Sequence, residues 1–187
     1  MDELFGLPAH PLLVHAPVVL LPLAALGVLV TLVRANWYLR YRWAVLAVGL
    51  VGALGAILAA SSGEELEHQV ERGAGEGVER LIEAHAEAGD TARDVAIVFA
   101  IALLAYVLVP WFLERRSAAS TTTAEAGEGG TVDSRIGGSD RVGGPGWLRP
   151  VLMVLVTVTA AGSVYTVVDA GHKGAEAVWA GESGEGG

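Results

Sequence analysis

Five histidines and no cysteine define the chemistry open to this chain. His10 and His15 stand in "HPLLVHAP", His68 in "GEELEHQVER", His85 in "GVERLIEAHAEAGD" and His172 in "DAGHKGAEAVW". Imidazole is the commonest side-chain metal ligand and titrates near neutrality, so it serves metals, haem or protons. Without thiols, disulfides, thiolate metal sites and cysteine nucleophiles are excluded. No Ser–His–Asp spacing, phosphate loop, dinucleotide fingerprint or His-Glu-x-x-His motif is present; the Gly-rich "GAGEGV" lies in an acidic loop that would repel phosphate. Bis-histidine haem b needs two imidazoles on facing elements. Zinc or copper needs three or four ligands at about 2 Å, which nearby Asp or Glu could complete. A third role is bland: an interfacial histidine at the water line, bonded to backbone carbonyls.

The elements that must hold these side chains are apolar. The chain is 52% hydrophobic and 18% charged, with a mean hydropathy of +0.49. Soluble domains carry about a quarter of charged residues. The apolar residues fall in four blocks, 12–33, 43–60, 95–113 and 150–168, none of which contains Asp, Glu, Lys or Arg. About 20 such residues cross a hydrocarbon core of about 30 Å. None shows the polar stripe that a soluble bundle helix needs. The expected fold is therefore an all-α integral membrane bundle of four transmembrane helices, with a short extracytoplasmic amphipathic helix. The acidic N-terminus "MDELFGLPAHP" lacks the basic region of a signal peptide, so the first block reads as a retained span. Within the second block, Gly49/Ala53, Gly52/Ala56 and Gly55/Ala59 are small-xxx-small pairs that let helices approach closely. They suit packing within one chain or against another.

Arginine placement orients the spans. Arg34, Arg40 and Arg42 lie in one short loop, and Arg115, Arg116, Arg135, Arg141 and Arg149 in another. Arg72, Arg80, Arg93 and Lys173 lie on the opposite side with most of the acids. Basic loops stay cytoplasmic, so both termini are expected outside, at a plasma membrane. Residues 1–116 then hold three spans with an outer loop at 61–94. Residues 117–146 read as a Gly/Ser/Thr connector too poor in apolar residues to fold alone, and 147–187 as the fourth span and an outer tail.

All five histidines fall at the outer end. Val78, Leu81, Ile82 and His85 follow the i, i+3, i+4, i+7 spacing of one helical face, which places His85 on an apolar stripe against the bundle. Val168, His172, Ala175 and Trp179 recur similarly, so His172 is expected to face the bundle too, with Asp169 and Lys173 in water. His68 projects away from Leu66 and Val70. On a regular helix His10 and His15 would lie roughly 140° apart and could not share a ligand face. Pro17 suits a first helical turn, so the span is expected to begin near Ala16, with both histidines on an extended entry segment.

Taken together, "HPLLVHAP", "SSGEELEHQVE", "EAHAEAGD" and "DAGHKGAEAVW" resemble the prokaryotic membrane protein family called domain of unknown function 2231. The resemblance runs from about His10 to Trp179, outside the connector. His10, Pro11, His15 and Pro17 match the family's opening motif. His85 and the "GHKGA" segment match less tightly. The family often has Phe where this chain has Ala16, and the connector is long. The resemblance implies a small four-helix membrane protein without an assigned activity.

From the residues, one expectation is haem b or a transition metal held by His10, His15, His85 and His172 at the outer end, in a redox or metal accessory role. The alternative is a non-catalytic membrane scaffold or accessory subunit whose histidines are structural. No span carries a midplane acid or base, which coupled transport usually needs. The expected partners are the lipid bilayer and other membrane or electron-transfer subunits. The acidic balance, with a pI near 4.9, disfavours nucleic acid. No residue pattern names a reaction.

Overall fold

The structure, a computed structural model, describes residues 3–4, 7–70, 76–125 and 145–184. These form four long helices: α1 (Ala9–Val33), α2 (Ala35–Val70), α3 (Glu76–Glu125) and α4 (Leu148–Gly184). Ahead of α1, Glu3–Leu4 pairs antiparallel with Leu7–Pro8. Each helix carries a stretch long and apolar enough to cross a membrane: Leu13–Val33, Ala35–Gly63, Glu79–Arg116 and Leu148–Trp179. The four-span bundle expected from the apolar blocks is the fold.

The helices run up and down, with α1 packed mainly on α2 and α3 mainly on α4. Arg34 alone separates α1 from α2, and its carbonyl accepts the backbone N–H groups of Trp37 at 3.0 Å and Tyr38 at 3.2 Å. Such a tight corner forces the two spans antiparallel. The core is a thin seam of mostly small residues, among them Ala24, Ala53, Ala96 and Ala160, plugged by Phe99, Leu21 and Leu103. Leu26, Ile101, Val154 and Val158 are exposed on the outer surface, as expected of side chains that meet lipid rather than water. The small-residue ladder of α2 is buried inside the monomer. At Gly55 the ladder meets the neighbouring helix at groups that cannot rotate aside: a Cβ there would lie 2.8 Å from Ala16 Cβ and 3.1 Å from Pro17 Cδ.

Threonine hydroxyls within the spans bond back to their own helices, as hydrocarbon demands. Thr157 donates to the Met153 carbonyl at 2.7 Å and Thr166 to that of Gly162 at 3.1 Å. At the Arg-rich end, Tyr38 is buried rather than part of the aromatic belt, and its hydroxyl donates to the Tyr106 carbonyl at 3.0 Å. Trp43 and Trp111 meet edge to face nearby, and the Arg115 guanidinium lies 4.0 Å from the Trp111 ring centre.

Three expectations change. The amphipathic segment around His85 is not a separate short helix; it is the opening of α3, continuous with the third span. No Pro interrupts the chain between Glu76 and Val109, and the helix runs through Gly89 without a break. Likewise α3 runs on through Glu125, into the segment read as connector; residues 126–144 of that connector lie outside the described residues. Finally, α1 begins at Ala9, not near Ala16. Pro11 already occupies a first-turn position, where a missing N–H costs nothing, and Pro17 is accommodated within the helix.

Candidate functional site

Once α1 starts at Ala9, the roughly 140° between residues five apart takes effect. His10 turns into the bundle and is half-buried, whereas His15 is exposed. His85, on the bundle-facing stripe of α3, comes to meet His10. The two ring centres are 6.3 Å apart, with the rings edge to face. Both line a cavity of about 80 Å³ closed at the sides by small or apolar residues including Pro17, Ala56 and Ala92.

Each imidazole is tied down the same way. His10 Nδ1 lies 3.0 Å from the Ala59 carbonyl and 3.1 Å from Ser62 Oγ. Ser62 itself donates to the Ala59 carbonyl at 2.9 Å. His85 Nδ1 lies 3.0 Å from the Ala170 carbonyl. A carbonyl oxygen can only accept, so both rings carry their proton on Nδ1 and donate it there. In the neutral rings both Nε2 atoms are left as lone-pair donors. Burial is the main cause of a His10 pKa below the ordinary imidazole value; its bond to the Ala59 carbonyl opposes this, and His85 lowers it further.

That shift has a consequence for stability. Above pH 6.5 His10 is neutral whether the metal-free protein is folded or unfolded, and its titration contributes nothing. Below the unfolded value the unfolded chain takes the proton first, so stability falls with pH until the native ring also protonates. Thermal unfolding in detergent should therefore show a declining melting temperature as pH drops below 6.5, and H10A should flatten that slope. An unchanged slope in H10A would show that His10 is not the group responsible.

Arg93 lines the same cavity and is the charged side chain that sequence reasoning overlooked. Its guanidinium is held by Asp90 at 2.7 Å and Asp94 at 3.0 Å. Two carboxylates on one guanidinium more than offset its positive charge beside the imidazoles. Also unforeseen were the carbonyl anchors of Ala59 and Ala170 and the glycines that follow them, Gly63 and Gly174. The glycines did carry a signal, because Ala59-x-x-x-Gly63 and Ala170-x-x-x-Gly174 are small-xxx-small pairs like those higher up α2.

His172 does not face the bundle. Its side chain is 72% exposed and Nε2 lies 3.2 Å from Glu176 on its own helix. The stripe that suggested otherwise faces outward throughout, with Val168 and Trp179 more than half exposed. The expectation that His68 points to water concerns a side chain outside those described. Thus His10 and His85 come together, and His15 and His172 lie on exposed helix faces. Among the described residues, no group of three or more His, Cys, Asp or Glu side chains is placed to hold a metal ion.

Neither curated proteins nor solved structures match the chain. The sequence profile of the predicted membrane protein family DUF2231 matches residues 6–185. With that match spanning nearly the whole four-helix bundle, the chain belongs to the DUF2231 family of membrane proteins.

Proposed function

We propose that this protein binds a transition metal ion through the Nε2 atoms of His10 and His85, with water or a small anion at the remaining positions. The observation that carries this reading is the pair of Nδ1 anchors. Metal-ligating histidines almost always donate their other N–H to a carbonyl, carboxylate or water, which fixes the tautomer and raises the basicity of the ligating nitrogen. Here two neighbouring rings are fixed in this way from two different helices. With metal–nitrogen bonds of about 2 Å, two imidazoles on one ion place their ring centres roughly 5 to 6 Å apart. The observed 6.3 Å needs only a small closure. An imidazole-only protein donor set suits Zn²⁺, Cu²⁺ or Ni²⁺. Haem b fits less well, since a cavity of about 80 Å³ has no room for a macrocycle between the rings.

Titration of the detergent-purified protein with Zn²⁺, Cu²⁺ or Ni²⁺, followed by calorimetry or equilibrium dialysis, tests this reading. One saturable site per chain is expected. Binding no stronger than that of a histidine-free membrane protein of similar charge would sink it.

The pocket belongs at the extracytoplasmic end of the bundle, with both termini outside, because Arg34, Arg40, Arg42, Arg115, Arg116 and Arg149 gather at the other end. A reporter that works only outside the cytoplasm should be active when fused after Gly187. Activity of a cytoplasm-only reporter at that position would reverse the orientation.

A further inference from the structure

Viewed from His10, the cavity wall on α1 consists of His10, Val14, Pro17 and Val18, at i, i+4, i+7 and i+8. Viewed from His85, α3 contributes His85, Gly89, Ala92 and Arg93 at the same spacing. From α2 come Ala56, Ala59 and Ala60; from α4 come Val167, Ala170 and Gly171, again at one spacing. The cavity is therefore lined by two equivalent sets, one from each helical hairpin.

The equivalence continues into the core. In α1 the buried residues Leu21, Ala24, Val28 and Thr31 occupy the same distances from His10 as Ala96, Phe99, Leu103 and Tyr106 do from His85 in α3. In α2, Val45, Gly52 and Ala56 precede Ala59 as Val156, Ser163 and Val167 precede Ala170 in α4. Side chains differ in size between equivalent positions, as with Ala24 and Phe99 or Gly52 and Ser163. Volume is shared across the axis, and the sequences of the two halves show little likeness.

What the halves share is the clamp on the imidazole. In each, Nδ1 docks on a carbonyl whose own helix carries glycine four residues later. A Cβ on Gly174 would lie 2.8 Å from His85 Cε1 and 3.1 Å from its Nδ1. A Cβ on Gly63 would lie 3.2 Å from His10 Cε1 and 3.5 Å from its Nδ1. The missing side chain is the space in which each ring edge lies.

We infer that the bundle is a pseudo-two-fold pair of helical hairpins, α1–α2 and α3–α4, in which Gly63 and Gly174 are equivalent positioning residues that seat His10 and His85 for one ligand on the axis between them. The identity of that ligand as a metal ion rests on the function proposed above; the seating does not. The two halves contribute alike, and the chief departure is Arg93 in the place of Val18, which makes the α3 side of the cavity the polar one.

The test combines Zn²⁺ affinity with ¹⁵N-histidine NMR of the metal-free protein in detergent, which reads the tautomer of each ring. Wild-type His10 and His85 should both give the Nδ1–H signature. G174A should shift the His85 signals and weaken Zn²⁺ binding at least tenfold. G63A should shift those of His10 with a smaller loss of affinity, since its added methyl meets the ring less closely. Gly77→Ala, whose Cβ has nothing within 4 Å, should do neither. G63A carries the test should G174A fail to fold. Unchanged ring signals in a folded G63A overturn the seating, whatever the affinity. Ring shifts in G174A and G63A beside a wild type that binds no Zn²⁺ uphold the seating and dispose of the metal instead.

Discussion

Changing His85 to alanine should weaken binding of Zn²⁺, Cu²⁺ or Ni²⁺ by more than about 100-fold, because loss of even an outer-shell partner typically costs 10- to 100-fold. His10→Ala should do the same, since the two rings enter the cavity from opposite hairpins with matching anchors. Ser62→Ala should cost less, on the order of tenfold, because Ser62 supports the His10 ring and touches no ligand position. His15→Ala and His172→Ala should leave affinity within about twofold of wild type, both residues lying on exposed helix faces. Isothermal titration of the five variants and the wild type in one detergent decides the matter. An H85A protein that binds as wild type does would remove the pair as ligands. Loss of binding in H172A would instead restore the four-histidine arrangement that the sequence suggested.

Gly55→Val should destabilise the bundle by about 1 to 3 kcal/mol, the usual cost of overpacking. The reason is what a side chain there would meet. Ala16 Cβ lies 2.8 Å away and Pro17 Cδ 3.1 Å, with the Pro17 backbone nitrogen at 3.4 Å. A methyl group and a proline ring on a neighbouring helix cannot rotate aside, so α1 would have to move away from α2. That displacement would also pull His10 away from Ala59. Gly49→Ala is the instructive comparison, because its Cβ would meet the tip of the Leu103 side chain. A side chain can change rotamer where a backbone cannot, and the loss should be smaller despite the closer contact. Thermal unfolding of both variants beside Gly77→Ala should rank them in that order. A Gly55→Val protein as stable as wild type would show that this approach of α1 to α2 does not hold the hairpin together.

By itself the sequence determined that this is a membrane protein of four spans. Uninterrupted apolar blocks of bilayer length admit little else, because a backbone in hydrocarbon must satisfy its own hydrogen bonds. It also brought His10 and His85 to the same end of the bundle, since each precedes or opens a span running in the same direction. It marked the small-residue face of α2, for only small side chains allow helices to approach so closely.

Which histidines face inward was a matter for the tertiary structure. In water an apolar stripe points to the core, and the stripes through His85 and His172 look alike on that rule. In a bilayer both lipid and core accept apolar side chains, so the stripe loses its direction. On α4 the bulky stripe of Val168, His172 and Trp179 faces outward, and the inner face is the less conspicuous series Ala160, Ser163, Val167 and Ala170. On the strength of Pro17 the sequence places the start of α1 too late, near Ala16, although Pro11 suits a first turn as well and is the one the helix uses. The choice between them sets whether His10 points at His85. The anchors of the two rings are backbone carbonyls of other helices. Every residue offers a carbonyl, so no residue type could have marked these two; only the packing of α1 on α2 and of α3 on α4 selects them.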